Sequence, residues 1–179
     1  QSNNIVKNFN LYKVSAGDLL RNEVKNNTVL GSKIKSTLDH GIFVPDDIIN
    51  DLILKILSNK KYYNRLIFDG YPRNLNQVKI LDNLLSKYNQ KISCVLSLKV
   101  KKEIIIKRIL GRQVCSSCGS TFNEFFNPSN SNNHSCDIKF LQKRSDDNES
   151  TIKSRFETYL NETLPIINYY QKQNLLYEI

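Results

Sequence analysis

Methionine and tryptophan are absent from the 179 residues, and glycine and proline number only six and four. That scarcity excludes collagen-like, glycine-rich and proline-rich low-complexity chains. No stretch approaches the run of about 18 apolar residues that a membrane-spanning helix needs. No signal-peptide pattern opens the chain. A chain without methionine gives no reason to take Gln1 as a native start. A glycine-rich loop ending in Gly-Lys-Ser/Thr is also lacking. Arginine is sparse: Arg21, Arg65, Arg73, Arg108, Arg112, Arg144 and Arg155 stand against nineteen lysines.

What is present reads as a globular α/β chain. Hydrophobic residues make up 40%, and the length suffices for one domain with a real core. Formal net charge is +9, from 26 basic and 17 acidic side chains. That balance favours an acidic partner: nucleic acid, an anionic membrane or a phosphorylated molecule. Aromatic residues do not interleave with the basic ones as a base-stacking platform requires, so no nucleic-acid partner is expected, and no membrane partner. The lysines read as compositional bias. The few arginines carry more information, because a planar guanidinium fork fits phosphate geometry better than a point charge.

The organising stretch is Phe68-Asp69-Gly70-Tyr71-Pro72-Arg73-Asn74. It follows the short apolar run Arg65-Leu66-Ile67 and precedes Leu75 to Tyr88, where Val78, Leu81, Leu84 and Leu85 recur at helical spacing. The reading is strand, tight turn, helix. Asp69 falls at the strand's C-terminal end, where open α/β sheets bind ligands. Gly70 permits close backbone approach, and Arg73 stands at a helix start, a place favourable to anions.

In chain order, Ile5, Val6 and Phe9 suggest the last part of a helix, and Leu11 to Ser15 a short strand. Ser15 is an N-cap for a helix over about Ala16 to Asn26, with Asp18 completing a box-like start. A second short helix runs from Gly31 to His40 and ends at Gly41. Asp46 and Asp47 favour the first turn of a helix through Leu57. Ile92 to Val100 reads as an apolar strand, with Cys94 as a buried core thiol. Lys101 to Gly111 reads as a helix with Ile104, Ile105, Ile109 and Leu110 inward. Arg108 and Arg112, four apart, then share a face and await an anion between them. A long helix follows Gln142 to Glu149 and runs through Gln171, and Leu175 to Ile179 forms a final strand.

Cys115-Ser116-Ser117-Cys118-Gly119 is half of a zinc knuckle, and His134-Ser135-Cys136-Asp137 supplies a compressed second half. Cys115, Cys118 and Cys136 are the expected ligands, with Asp137 or His134 as the fourth. Three clustered cysteines favour a structural metal over disulfides, and a reducing compartment.

Together, Ser15-Ala16-Gly17-Asp18-Leu19-Leu20-Arg21, the Asp69 to Arg73 run and Gly111-Arg112 resemble the adenylate kinase family of nucleoside monophosphate kinases, at the family's order and spacing over nearly the whole chain. The resemblance implies a three-layer P-loop kinase fold with a parallel sheet, a helical insert for the monophosphate and a small β-rich lid. Its divisions are core over 1–14, insert over 15–44, core over 45–112, lid over 113–148 and core over 149–179. It places the family's phosphate loop and central strand before Gln1, and further residues after Ile179. It implies γ-phosphoryl transfer from ATP, or from GTP, to AMP, with Mg²⁺ entering with the nucleotide. Ser15, Arg21, Val44, Gly70, Arg73 and Gln77 resemble the AMP-binding residues, Gln77 meeting the base. Arg108, Arg112, Thr121 and Phe122 resemble residues of the triphosphate side. Arg108, Arg112, Arg144, Arg155 and Asp69 resemble the catalytic group, with Asp146 and Asp147 as partners of the lid arginines. It further implies a monomer, in the cytoplasm or an organelle interior such as the mitochondrion. Three rivals stand beside it: a UMP or CMP kinase, a kinase-fold binding protein impaired in catalysis, and a basic zinc ribbon.

Overall fold

The structure, a computed structural model, describes residues 2–40, 42 and 44–179. The helix stop expected at Gly41 lies outside those residues, as do Gln1 and Phe43. Two parallel strand pairs form the α/β part. β1 (Tyr12–Ser15) pairs with β2 (Leu66–Asp69), with Ser15 opposite Asp69. The second pair is formed by β3 (Val95–Ser97), which runs parallel to Leu176–Glu178 near the chain's end. Among the described residues no ladder joins β2 to β3.

Helices α1 (Ser2–Phe9), α2 (Ala16–Lys25), α3 (Val29–Asp39), α4 (Asp46–Leu57) and α5 (Leu75–Lys87) surround the first pair. Three of them, α2, α3 and α5, start where a short polar side chain supplies a missing acceptor. Ser15 accepts from the Asp18 N–H, Thr28 from Gly31 and Asn74 from Gln77. The larger core joins Val14 of β1, Leu20 of α2, Ile53 and Leu57 of α4, and Leu81 of α5. Val78, one turn earlier on α5, packs instead with Ile166 and Tyr170 from the C-terminal helices. Asp18 does not reach back to close a capping box. Its carboxylate pairs with Arg21 at 2.6 Å and Lys13 at 3.2 Å. Burial works against that charge, but the bonds and charges of Arg21 and then Lys13 prevail and bring its pKa down to about 2.

Gly31 is where α2 and α3 cross. A Cβ there would lie 2.1 Å from the Glu23 carbonyl oxygen, a backbone atom with no rotamer to escape by. Gly31→Ala is therefore expected to destabilise the protein by about 3 kcal/mol, at the upper end for overpacking. The melting temperature should fall by about 6–12 °C, at roughly 2–4 °C per kcal/mol for a chain of this size. An unchanged melting curve would refute the tight crossing.

Several expectations change in the structure. The strand expected over Ile92 to Val100 shortens to β3, and Cys94 is exposed rather than buried. With one hydrogen-bonded neighbour, this strand leaves Leu96, Leu98 and Val100 in the open. Helix α6 (Lys102–Leu110) stops before Arg112, which instead begins β4 (Arg112–Cys115). Arg108 and Arg112 thus do not share a helix face, and Ile104, Ile105, Ile109 and Leu110 are half-buried rather than core. β4 lies between β5 (Thr121–Asn123) and β6 (Leu141–Gln142) in an antiparallel sheet. The expected long helix is α7 (Glu149–Thr158), a wide π turn over Tyr159–Thr163 and α8 (Leu164–Lys172). Pro165, in the first turn of α8, has no N–H to continue a regular ladder. β7 (Leu176–Glu178) is the strand that partners β3. Among the described residues, no helix is long and apolar enough to cross a membrane.

Candidate active site

The parallel pair sets the floor of the site. Its register brings Ser15 and Asp69 side by side at the strands' C-terminal ends. The Asp69 carboxylate accepts from Ser2 Oγ at 2.8 Å. Beyond it the backbone turns at Gly70, whose φ of +70° a side chain rarely adopts. That turn folds Arg73 back, so its Nε donates to the Gly70 carbonyl at 2.8 Å. The Arg73 backbone is fixed on both sides: its N–H donates to Gln77 Oε1 at 2.7 Å and its carbonyl accepts from Thr163 Oγ1 at 2.8 Å. The π turn thus positions the arginine loop, a link that sequence spacing did not show.

A pocket above this floor is lined by Arg21, Val44, Arg73, Gln77, Asp146 and Arg155, with Gly17 at its wall. Residues from α2, the α5 start and α7 therefore converge. The cations there repel one another. Burial, then Arg155, then Arg21 hold the Arg73 pKa below its usual value, against the pull of Asp69. Arg144 is brought down to about 10 by burial, then Arg21, then Arg112. Side chains 123 residues apart in sequence, Arg21 and Arg144, thus share one field. Such a field is relieved by a multiply charged anion.

Two carboxylates hold the far side. Arg112 grips the fully buried Asp147 side chain with two donors, Nε to Oδ2 at 2.7 Å and Nη2 to Oδ1. Arg155 pairs with Asp146. Both aspartates thus have arginine partners, as the resemblance implied without saying which arginine goes with which. The Arg108 guanidinium lies 4.8 Å from the centre of the Phe126 ring. Arg65, the arginine outside every motif, donates twice to the Asn10 carbonyl. A larger cavity of about 510 Å³ lies near the end of α5, lined by Asp82, Ser86, Gln90 and Lys91 among others, with no arginine.

In the cysteine-bearing segment, ligand atoms of Cys115, Cys118, His134 and Cys136 all lie within 4.8 Å of one another. The set matches the thiolate and imidazole donors of structural zinc, whose bonds of about 2.0–2.3 Å need such spacing. His134 Nδ1 is 2.9 Å from Ser129 Oγ, while its buried Nε2 has no hydrogen-bond partner among the described residues. An imidazole oriented by one nitrogen with the other bare is arranged as a ligand. Asp137 is outside the cluster: its carboxylate caps the following turn through the Lys139 N–H and pairs with Lys139 Nζ. Of the two candidates for the fourth position, His134 lies in the cluster and Asp137 does not. Phe122 is 5% exposed and packs on His134 at 4.7 Å between ring centres, so its ring belongs to the segment's interior. Thr121 is exposed beside it.

A family model described as adenylate kinase matches residues 1–175. The adenylate kinase of Pelagibacter ubique strain HTCC1062 is 44% identical over 179 residues, covering 100% of this chain and 84% of that protein. The chain belongs to the adenylate kinase family. Adenylate kinase of Caldicellulosiruptor bescii is 38% identical over 178 residues, covering 98% of this chain and 82% of that protein. That of Clostridioides difficile strain 630 is 36% identical over 181 residues, covering 100% and 83%. Adenylate kinases are nucleoside monophosphate kinases, so the clustered guanidiniums lie in an enzyme that moves phosphoryl groups between nucleotides. Magnesium accompanies the nucleotide in adenylate kinases, and the Cys₃His set is compatible with a structural zinc. Sequence reasoning did not find four residues that hold these side chains: Asp46, Asn76 and Thr163 around Gln77 and Arg73, and Ser129 beside His134. Asp46 was read only as favouring a helix start, and its contact with Gln77 spans 31 residues.

Proposed function

We propose that this chain catalyses reversible transfer of the γ-phosphoryl group of ATP to AMP, giving two ADP. The observation that carries the proposal is the convergence of Arg21, Arg73 and Arg155 with Gln77 in one pocket, inside the field of Arg144. Phosphoryl transfer asks little covalent chemistry of the protein; positioning and charge neutralisation supply most of the acceleration. Arg21 and Arg73 fix the acceptor phosphate. Arg112, Arg144 and Arg155 gather on the group in transit. Ser15, Val44 and Gly70 border the acceptor site, and Gln77 meets its base. Thr121 faces the triphosphate side. Asp69 would hold water of the shell of a magnesium ion that enters with the nucleotide, an ion that would supply charge neutralisation at the triphosphate.

Segments 15–44 and 113–148 move as insert and lid over the core. Ser145 Oγ donates to Asp39 Oδ1 at 3.1 Å across them, which supports closure over bound nucleotide. Closing excludes water that would otherwise take the phosphoryl group. A panel of acceptors with ATP and with GTP as donor tests the reading. AMP is expected to exceed UMP and CMP in kcat/KM by about a hundredfold or more, the discrimination of a site built to hydrogen-bond its base. Equal use of UMP or CMP would replace AMP as the acceptor, and faster turnover with GTP than with ATP would replace the donor.

A further inference from the structure

Gln77 is a buried polar residue, 2% exposed, and each end of its amide is engaged once. Oε1 accepts from the Arg73 backbone N–H at 2.7 Å, and Nε2 donates to Asp46 Oδ1 at 2.5 Å. A backbone N–H only donates, and an ionised carboxylate only accepts. Turning the amide over would set oxygen against carboxylate and NH₂ against N–H. Both contacts are repulsive, in a buried place where an unmade hydrogen bond is most costly. The amide's orientation is therefore fixed by the protein before any ligand enters.

Asp46 is itself held in place. It is the first residue of α4, where the helix end favours an anion. Asn74 Nδ2 and Asn76 Nδ2 donate to its Oδ2 at 3.2 and 3.3 Å. Asn74 also caps α5 by accepting from the Gln77 N–H at 2.7 Å. The starts of α4 and α5 thus meet on one carboxylate.

We propose that Asp46 is a positioning residue for base selection: by holding the Gln77 amide in one orientation, it makes the acceptor site choose a purine monophosphate with a 6-amino group over one with a 6-oxo group. This rests on the reading that Gln77 meets the acceptor's base. After its two internal bonds, the amide keeps one N–H on Nε2 and one lone pair on Oε1. Adenine presents the complement on adjacent atoms, an amino N–H and the N1 lone pair. Hypoxanthine presents the reverse, an O6 acceptor and an N1–H donor. An amide free to turn would take either base. A fixed one sets donor against donor and acceptor against acceptor with the oxo base, which is discrimination by repulsion as well as by fit.

The test is Asp46→Asn in the full chain, with AMP and inosine monophosphate as acceptors and ATP as donor. An asparagine amide can give or accept, so one of the two constraints on the Gln77 amide is lifted and only the Arg73 N–H still opposes its turning over. The AMP-over-IMP preference in kcat/KM is expected to narrow by about tenfold or more. The change should lie in KM, with kcat for AMP within about twofold and a melting temperature within a few degrees of the parent. Gln77→Ala is measured alongside. If Gln77→Ala erases the preference while Asp46→Asn keeps it, the proposal is overturned and the base reading stands. If Gln77→Ala also keeps the preference, the base reading falls and takes the proposal with it. Should Asp46→Asn not fold, Asp46→Glu decides. Its carboxylate still only accepts, so the preference should stay within about threefold of the parent, and its loss would overturn the proposal.

Discussion

Arg73→Ala is expected to lower kcat/KM for AMP about a thousandfold, or about 4 kcal/mol of transition-state stabilisation. The melting temperature should stay level. The size follows from the setting. Arg73 is surrounded by burial and by the charges of Arg155 and Arg21, all of which disfavour its cation until an anion arrives. A phosphate held there gains two charge-assisted bonds in a site where water screens little. Without nucleotide, removing the side chain relieves repulsion but forfeits the bond to the Gly70 carbonyl. The two effects are each of about 1 kcal/mol and offset. Steady-state kinetics with AMP and ATP varied separately, with thermal melting, check it. KM for ATP should move by no more than about threefold. An unchanged KM for AMP would end the assignment of Arg73 to the acceptor phosphate.

Removal of the metal from the cysteine-bearing segment carries the second large effect. Its three strands are of two to four residues and bury Cys115 and Phe122 within the sheet, too little to hold a shape. Structural zinc contributes folding free energy directly, about 10–16 kcal/mol in isolated knuckles. A loss of even about 4 kcal/mol here lowers the melting temperature by about 8–16 °C. Turnover should fall too, because Asp146 and Asp147, the anchors of Arg155 and Arg112, follow closely on β6. Zinc content by elemental analysis before and after chelation, paired with calorimetry, tests this. The native protein should hold one zinc per chain. His134→Ala should lose the metal and Asp137→Asn should keep it. A melting profile unaltered after verified depletion would show that the four side chains need no ion.

Much of this was legible in the sequence where the signal is local. Ser15 as an N-cap, α4 from Asp46 to Leu57, and Asp69 at the end of its strand follow from adjacent residues. The arginine partners Asp146 and Asp147 followed from family order. What failed depended either on neighbours far along the chain or on a local stop or cap that spacing alone does not reveal. Cys94 sits in an apolar run, but burial needs something to lie against, and β3 has one strand beside it. Helical spacing joined Arg108 to Arg112, yet Gly111 ends the helix between them and the two side chains part. Asp137 keeps the customary two-residue gap from His134, but its carboxylate serves the turn it caps.

Asp39 and Ser145 form the one hydrogen bond recorded between segments 15–44 and 113–148 among the described residues. Such an exposed contact is worth about 1 kcal/mol, and Arg21 and Arg144 push the same two segments apart. On the proposed insert-and-lid reading, that attraction and that repulsion oppose each other until nucleotide binds. The substrate's own negative charge would be the counterweight, so on that reading the separation of the two segments would gauge how much phosphorylated nucleotide surrounds the protein.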